Sequence, residues 1–149
     1  MHKSDPERYL HRNVDDWLKR ASDGAIALPT FQRSYVWDND RTAQYLRALF
    51  QDRPTGTFLV LKADSGSNLP FNARNLKGLD ADTGRTEELL LDGQQRLTSL
   101  WNALGGDRAG EEREHRFFVR VENLSNLRMA VKDVVFFSKS SKNGRERNE

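Results

Sequence analysis

A chain of 149 residues is long enough for one domain with a sizeable core. It has no cysteine, which excludes a disulfide scaffold and a thiolate metal site, and no apolar run of membrane-spanning length. The formal net charge of +2 is carried by the last twelve residues, where Lys139, Lys142, Arg145 and Arg147 outnumber Glu146 and Glu149. The rest is balanced and lacks the broad basic surface of non-specific DNA binding.

Met1-His2-Lys3-Ser4-Asp5-Pro6 is no secretory signal, so the cytoplasm is the expected compartment and no membrane partner is expected. Asn13 to Ser22 reads as a helix, with Val14, Trp17, Leu18 and Ala21 on one face, Asn13 as cap and Gly24 after its end. Ala25 to Leu28 is a short strand stopped by Pro29. Phe31 to Trp37 has no clean period and is an aromatic-rich loop. Asp38 to Gln51 is an amphipathic helix capped by Asp38, with Tyr45, Leu46, Leu49 and Phe50 on its apolar stripe. Pro54 and Gly56 mark a turn, and Thr57 to Leu61 reads as a buried strand.

Residues 63 to 86 are polar and dotted with glycine. A segment of that length suggests a lid, a hairpin of its own or disorder. Leu89-Leu90-Leu91 is a buried strand, Asp92-Gly93 a turn, and Leu97, Leu100, Trp101 and Leu104 lie at helical spacing up to Gly105-Gly106. Arg116 to Val121 and Ala130 to Phe137 are two late strands. Residues 10 to 137 form the expected domain, and 138 to 149 have the composition of a disordered or truncated tail. Short strands alternating with helices predict an α+β or mixed α/β domain around a small sheet.

The most informative segment runs from Leu89 to Trp101: a buried strand, an Asp-Gly turn and an immediate helix. A helix start carries unbonded N–H groups and a partial positive charge, and therefore suits an anion, commonly phosphate. Arg96 in the first turn opposes the dipole, a placement that makes most sense with an anion before it. A purely structural account is also open: Asp92 caps the helix, Gln95 completes a capping box and Arg96 points into water.

The second segment is Pro29-Thr30-Phe31-Gln32-Arg33-Ser34-Tyr35-Val36-Trp37. Binding residues gather in loops held by a rigid scaffold. Gln32 and Arg33 could read an amide edge or a phosphate, and Tyr35 or Trp37 could stack on a base. Alternatively Phe31, Tyr35 and Trp37 anchor the loop to the core, an account that suits Trp37 best.

Taken together, Pro29-x-Phe31-Gln32-Arg33-x-Tyr35-Val36-Trp37 and Asp92-Gly93-Gln94-Gln95-Arg96-Leu97-Thr98 resemble the N-terminal domain of GmrSD-type modification-dependent restriction enzymes, which phosphorothioate-sensing Ssp restriction factors share. Pro54-Thr55-Gly56-Thr57-Phe58-Leu59 fits the same family, and the likeness spans roughly residues 10 to 135. It implies a ParB/sulfiredoxin-like fold and a place in bacterial defence against phage by cutting modified DNA. It further implies that the Asp-Gly-Gln-Gln-Arg motif serves NTP binding or hydrolysis, with GTP or ATP and Mg2+ as the cofactors. Gly93, Gln94, Gln95, Arg96, Gln32 and Arg33 would hold the nucleotide, with Asp92, Gln95 and Arg96 in the chemistry. Phe31, Gln32, Arg33 and Tyr35 would sense DNA. Sulfiredoxin chemistry needs a cysteine and is excluded.

The family's cutting is usually done by a C-terminal, His-based metal-dependent nuclease. His2, His11 and His115 form no such pattern, so the chain is expected to be an N-terminal fragment or a short stand-alone member. It should bind naked DNA weakly and leave cleavage to another domain or partner. No dedicated metal cage is visible, and self-association is left open. The NTPase has two rivals: a non-catalytic ParB-like switch that binds nucleotide or DNA and controls a partner nuclease, and an inhibitory fragment that binds a full-length relative.

Overall fold

A computed structural model describes residues 11–62, 69–105, 115–119 and 135–139. In chain order the elements are α1 (Val14–Ser22), β1 (Ile26–Pro29), α2 (Asn39–Phe50), β2 (Leu59–Lys62), β3 (Ala73–Arg74), a 3-10 turn (Thr83–Arg85), β4 (Glu88–Asp92), α3 (Gln94–Leu104), β5 (His115–Val119) and β6 (Val135–Lys139). The fold is α+β. Four strands form a mixed sheet in the order β2-β4-β1-β3, and β5 and β6 pair antiparallel as a second sheet.

The centre of the sheet is the parallel pair β1 and β4, with Ile26 opposite Glu88 and Ala27 opposite Leu89. All four β1 residues are buried, as are Glu88, Leu89 and Leu90 of β4. Central parallel strands are covered on both faces and so read as continuous apolar runs. β2 runs antiparallel to β4, pairing Leu59 with Asp92, and β3 runs antiparallel to β1, pairing Pro29 with Ala73. The C-terminal ends of β1 and β4 therefore share one end of the sheet with the starts of β2 and β3.

Local chemistry explains the helix ends. Asn13 accepts from the Asp16 N–H at 2.8 Å and Asp38 from the Arg41 N–H at 2.8 Å, so both expected caps are formed. α1 buries Trp17, Leu18 and Ala21, while Val14 stays at the surface. α2 buries Thr42, Ala43, Tyr45 and Leu46, and Phe50 is 41% exposed. Tyr45, Leu46 and the partly buried Leu49 keep to the expected stripe, and Phe50 at the end of the helix departs from it. Thr42 joins this face with its hydroxyl bonded inside the core to Tyr35 at 3.0 Å and Ser99 at 3.2 Å. The core joins these faces to Leu76, Leu97, Leu100, Trp101 and Val135. Arg47 of α2 fixes β6 by donating to the Val135 carbonyl at 2.7 Å.

Three expectations need adjustment. The buried strand expected over Thr57 to Leu61 begins at Leu59, because the Thr55 and Thr57 carbonyls turn toward Arg96, and at the edge of the sheet it is not buried, with Leu59 57% exposed. The described part of the 63–86 segment is neither a hairpin of its own nor disordered. β3 pairs with β1, Leu76 is buried, and the Gly78 carbonyl accepts from the Trp101 indole at 3.1 Å. Residues 63–68 lie outside the described residues. The late strands are His115–Val119 and Val135–Lys139; residues 120–121 and 130–134 of the expected strands, and 140–149 of the expected tail, lie outside the described residues.

At the far end of the sheet, Glu88 is 3% exposed and takes a two-fold grip from Arg12, at 2.6 Å on each oxygen. Burial works against its charge, but hydrogen bonds and charge from Arg12, with Arg20 and Lys62, outweigh it and hold the carboxyl below its ordinary range. A carboxyl so depressed stabilises the fold above its unfolded value of about 4.3, and that contribution is lost as pH falls through the lower folded value. Removing one partner of a buried pair typically costs about 3–5 kcal/mol. Glu88→Ala should therefore lower the urea unfolding free energy by about that much at pH 7. The gap between parent and variant should narrow on acidification below pH of about 4. A gap that stays constant with pH would show that the pair is not the cause.

Candidate functional site

The two motifs meet at the end of the sheet where β1 and β4 finish. In open sheets this end, outside the carboxyl ends of parallel strands, is where ligands commonly bind. The loop after β1 carries residues 30–38, the turn after β4 is Gly93, and residues 53–58 lead into β2 beside it.

α3 begins differently from the capping box. Its N-cap is Gly93, in the left-handed conformation (φ 103°, ψ 5°), and no side chain caps it. Leu97 is the first residue whose N–H finds a helical acceptor, the Gly93 carbonyl at 2.9 Å. The N–H groups of Gln94, Gln95 and Arg96 precede it. Asp92 does not reach them; it is 71% exposed, and its Oδ2 accepts from Arg96 Nη2 at 3.1 Å. Residue 93 must be glycine on two counts: a side chain disfavours this φ, and a Cβ there would overlap the Phe58 ring.

Gln95, expected to reach back to the cap, reaches sideways instead. Its Oε1 accepts from the Val36 N–H at 2.9 Å and the Trp37 N–H at 3.2 Å, and its Nε2 donates to the Ser34 carbonyl at 3.3 Å. Gln32 makes the reciprocal tie. Its Nε2 donates to the Leu90 carbonyl at 2.5 Å and the Leu91 carbonyl at 3.0 Å, at the end of β4. One glutamine from each motif thus holds the other motif's backbone.

Arg96 is tied on its other side. Its guanidinium donates to the Thr55 carbonyl at 3.3 Å, the Thr57 carbonyl at 2.5 Å and Asp92. It also lies 5.5 Å from the centre of the Phe58 ring, which packs on Trp17 at 4.5 Å. Its side chain is 19% exposed, so it does not point into water. The unfavourable encounter with the helix dipole is relieved by these oxygens. Gly56, at φ 100°, leaves the space they need, since a Cβ there would overlap the guanidinium.

The remaining candidates divide. Phe31 is 65% exposed and meets Phe71 edge to face at 5.0 Å. Arg33 is exposed, and its side chain has no partner among the described residues. Tyr35 turns inward, its hydroxyl shared with Thr42 and Ser99 at 3.0 Å each, while Lys77 lies 5.8 Å from its ring. Trp37 packs against Tyr45 at 5.7 Å, the anchoring role that suited it in the sequence. Burial pushes the Tyr45 hydroxyl up to about 12, against the opposing influence of Arg96 and Thr55, so it stays protonated beside the Arg96 loop. Gln94 is 6% exposed, and its Nε2 has no partner among the described residues.

Sequence reasoning overlooked Arg74, Thr55 and Thr57. Arg74 donates to the Gln32 and Arg33 carbonyls at 3.1 and 3.0 Å and so holds the loop from β3. It stood in a polar stretch with no pattern to mark it. The threonines act through carbonyls, which no residue type advertises. No group of three or more His, Cys, Asp or Glu able to hold a metal occurs among the described residues. Asp92 by itself fits only an ion already carried by a ligand's phosphates. A cleft of about 600 Å³ opens at the opposite end of the sheet, but Arg12 and Arg20 there are engaged by Glu88 and Glu87.

The arrangement defines a class: a small α+β domain whose polar motifs are locked around one uncapped helix start. No helix among the described residues is long and apolar enough to cross a membrane. The family model of the GmrSD restriction endonuclease N-terminal domain matches residues 14–149, and the chain belongs to that family. An uncharacterized protein of Methanocaldococcus jannaschii is 35% identical over 98 residues, which is 62% of this chain. The match spans 17% of that relative's length. No solved structure matches.

Gln95 and Asp92 should differ sharply in what they contribute to stability. Gln95→Ala removes three hydrogen bonds, one part-buried and two exposed, each with a net worth of about 0.5–1.5 kcal/mol. Asp92→Ala removes only an exposed ion pair, worth roughly 0–1 kcal/mol, and no cap. Chemical unfolding of both variants should show the larger loss for Gln95→Ala, with faster amide exchange at Val36 and Trp37. A larger loss for Asp92→Ala would restore the capping box.

Proposed function

We propose that this domain binds a nucleoside triphosphate, GTP or ATP, with its phosphates at the start of α3, and hydrolyses it. It would do so as the nucleotide-handling part of a phage-defence restriction system that acts on modified DNA. The observation that carries the reading is the uncapped helix start, where the Gln94, Gln95 and Arg96 N–H groups have no helical acceptor and no side-chain cap. The buried Gln94 Nε2 adds a donor with no partner among the described residues. The family's name supports the restriction role. The strand–turn–helix on a small mixed sheet is compatible with a ParB/sulfiredoxin-like ancestry.

In this reading the Gly93–Arg96 backbone holds phosphate and Arg33 supplies the mobile cation. Gln32 and Gln95 position the loop and the helix relative to each other. Arg96 contributes charge from behind, through a guanidinium already engaged by three oxygens. Asp92, exposed at the mouth, positions water or a phosphate-borne Mg2+. Phe31, beside Gln32 and Arg33, offers an exposed ring to DNA, whereas the Tyr35 hydroxyl is committed to the core. Phosphodiester cleavage would fall to a nuclease domain or partner. A ParB-like switch without turnover is also favoured by one observation: Arg96 links the helix start to the 55–57 backbone, so a ligand that pulls on Arg96 would move that loop.

The test is titration calorimetry with ATP and GTP on the parent and on Arg33→Ala, together with phosphate release. A hydrogen bond to a charged group is worth about 1.5–3 kcal/mol, so Arg33→Ala should weaken binding roughly ten- to a hundredfold. Its melting temperature should not change, because Arg33 is exposed. Phosphate release by the parent distinguishes the hydrolase from the switch. Equal affinity in both proteins would remove Arg33 from the site, and no affinity for either nucleotide would overturn the reading.

A further inference from the structure

We infer that Asp92 is an internal anion that competes with a ligand's phosphate for Arg96. The inference rests on reading the start of α3 as the phosphate site. It follows from what Asp92 does instead of capping. The carboxylate stands immediately before a helix whose first three N–H groups have neither a helical acceptor nor a side-chain cap, yet it accepts from Arg96 Nη2 at 3.1 Å.

The three acceptors on Arg96 are not equivalent. The Thr55 and Thr57 carbonyls are backbone, fixed by the Gly56 turn and by Phe58, and they cannot leave without moving the chain. Asp92 is 71% exposed and can turn into solvent by rotating its side chain. It is the one acceptor that a ligand oxygen could replace at low cost, because an exposed pair of this kind contributes little. In the first turn of α3, Arg96 Nε and Gln94 Nε2 are both buried without partners among the described residues, and Gln94 itself is 6% exposed. An oxyanion with several acceptors would satisfy a set that one carboxylate cannot. While Asp92 remains there, its charge also repels that oxyanion at close range.

Asp92 therefore sets a threshold for binding: it keeps the guanidinium neutralised in the resting domain and lowers affinity for phosphates that arrive without a cation. The rival explanation is a surface staple between residues 92 and 96 with no bearing on ligands.

The experiment uses inorganic triphosphate as probe, with a chelator present, in calorimetry on the chain and on Asp92→Asn, Arg96→Gln and the double variant. Asp92→Asn should bind triphosphate about three- to tenfold more tightly than the parent. In the Arg96→Gln background the same change should give a clearly smaller gain, because only the direct repulsion by the Asp92 charge is then relieved and the rivalry for the guanidinium is gone. If Arg96→Gln does not fold, Arg96→Lys replaces it, keeping the charge but losing the fork that spans Thr55, Thr57 and Asp92. Parent binding with unchanged or weaker binding by Asp92→Asn would overturn the inference and leave the α3 site standing. A gain that persists in full without Arg96 would also overturn it. No triphosphate binding by either the parent or Asp92→Asn would overturn both the inference and the site.

Discussion

A helix that starts on a left-handed glycine has no side chain available to satisfy its first amides. At α3 the neighbouring loops are organised around that start. The glycine is forced by φ and by the Phe58 ring pressed against it. The position that would ordinarily cap, Asp92, sits one residue too early and turns to Arg96. Unbonded N–H groups are tolerated where water or a ligand can reach them, and they give this end of the sheet its positive character.

Around that start, three long side chains convert separate loops into one frame. Gln32 crosses from the loop after β1 to the end of β4, Gln95 crosses back from α3, and Arg96 reaches the loop before β2. Each bonds to backbone, Arg96 to the Asp92 carboxylate as well, and a backbone bond fixes chain position more directly than a surface ion pair does. Arg74 closes the fourth side through the Gln32 and Arg33 carbonyls. What stays exposed at the rim, Arg33 and the Phe31 ring packed edge-on against Phe71, is therefore held on a rigid loop.

Much of this was legible in the sequence, for identifiable reasons. The apolar strand around Leu89 and Leu90, the caps Asn13 and Asp38, and Gly105 at the end of α3 are local signals, and the structure has them in place. Residues 29–37 and 92–98 were read as belonging together, and they do meet in space, through Gln95 and the Val36 and Trp37 amides. What was not legible is non-local. Gln95 was expected to bond its own helix start and bonds a loop about 60 positions away in sequence; a glutamine at that spacing fits either role. The burial of Thr42 in α2 was not foreseen, because it serves the partners of the hydroxyl, Tyr35 and Ser99, and not an apolar stripe. Arg96 was expected either in water or facing an anion, and its carbonyl partners at 55 and 57 are invisible to any reading by residue type.

The central claim is that the amides at the start of α3 receive phosphate, and backbone amide NMR during titration with ATP or GTP tests it most directly. The account predicts that the largest and saturable shifts fall on Gly93, Gln94, Gln95 and Arg96, with smaller ones in residues 55–57 transmitted through Arg96. Saturable shifts concentrated elsewhere, with these four amides unmoved, would contradict it.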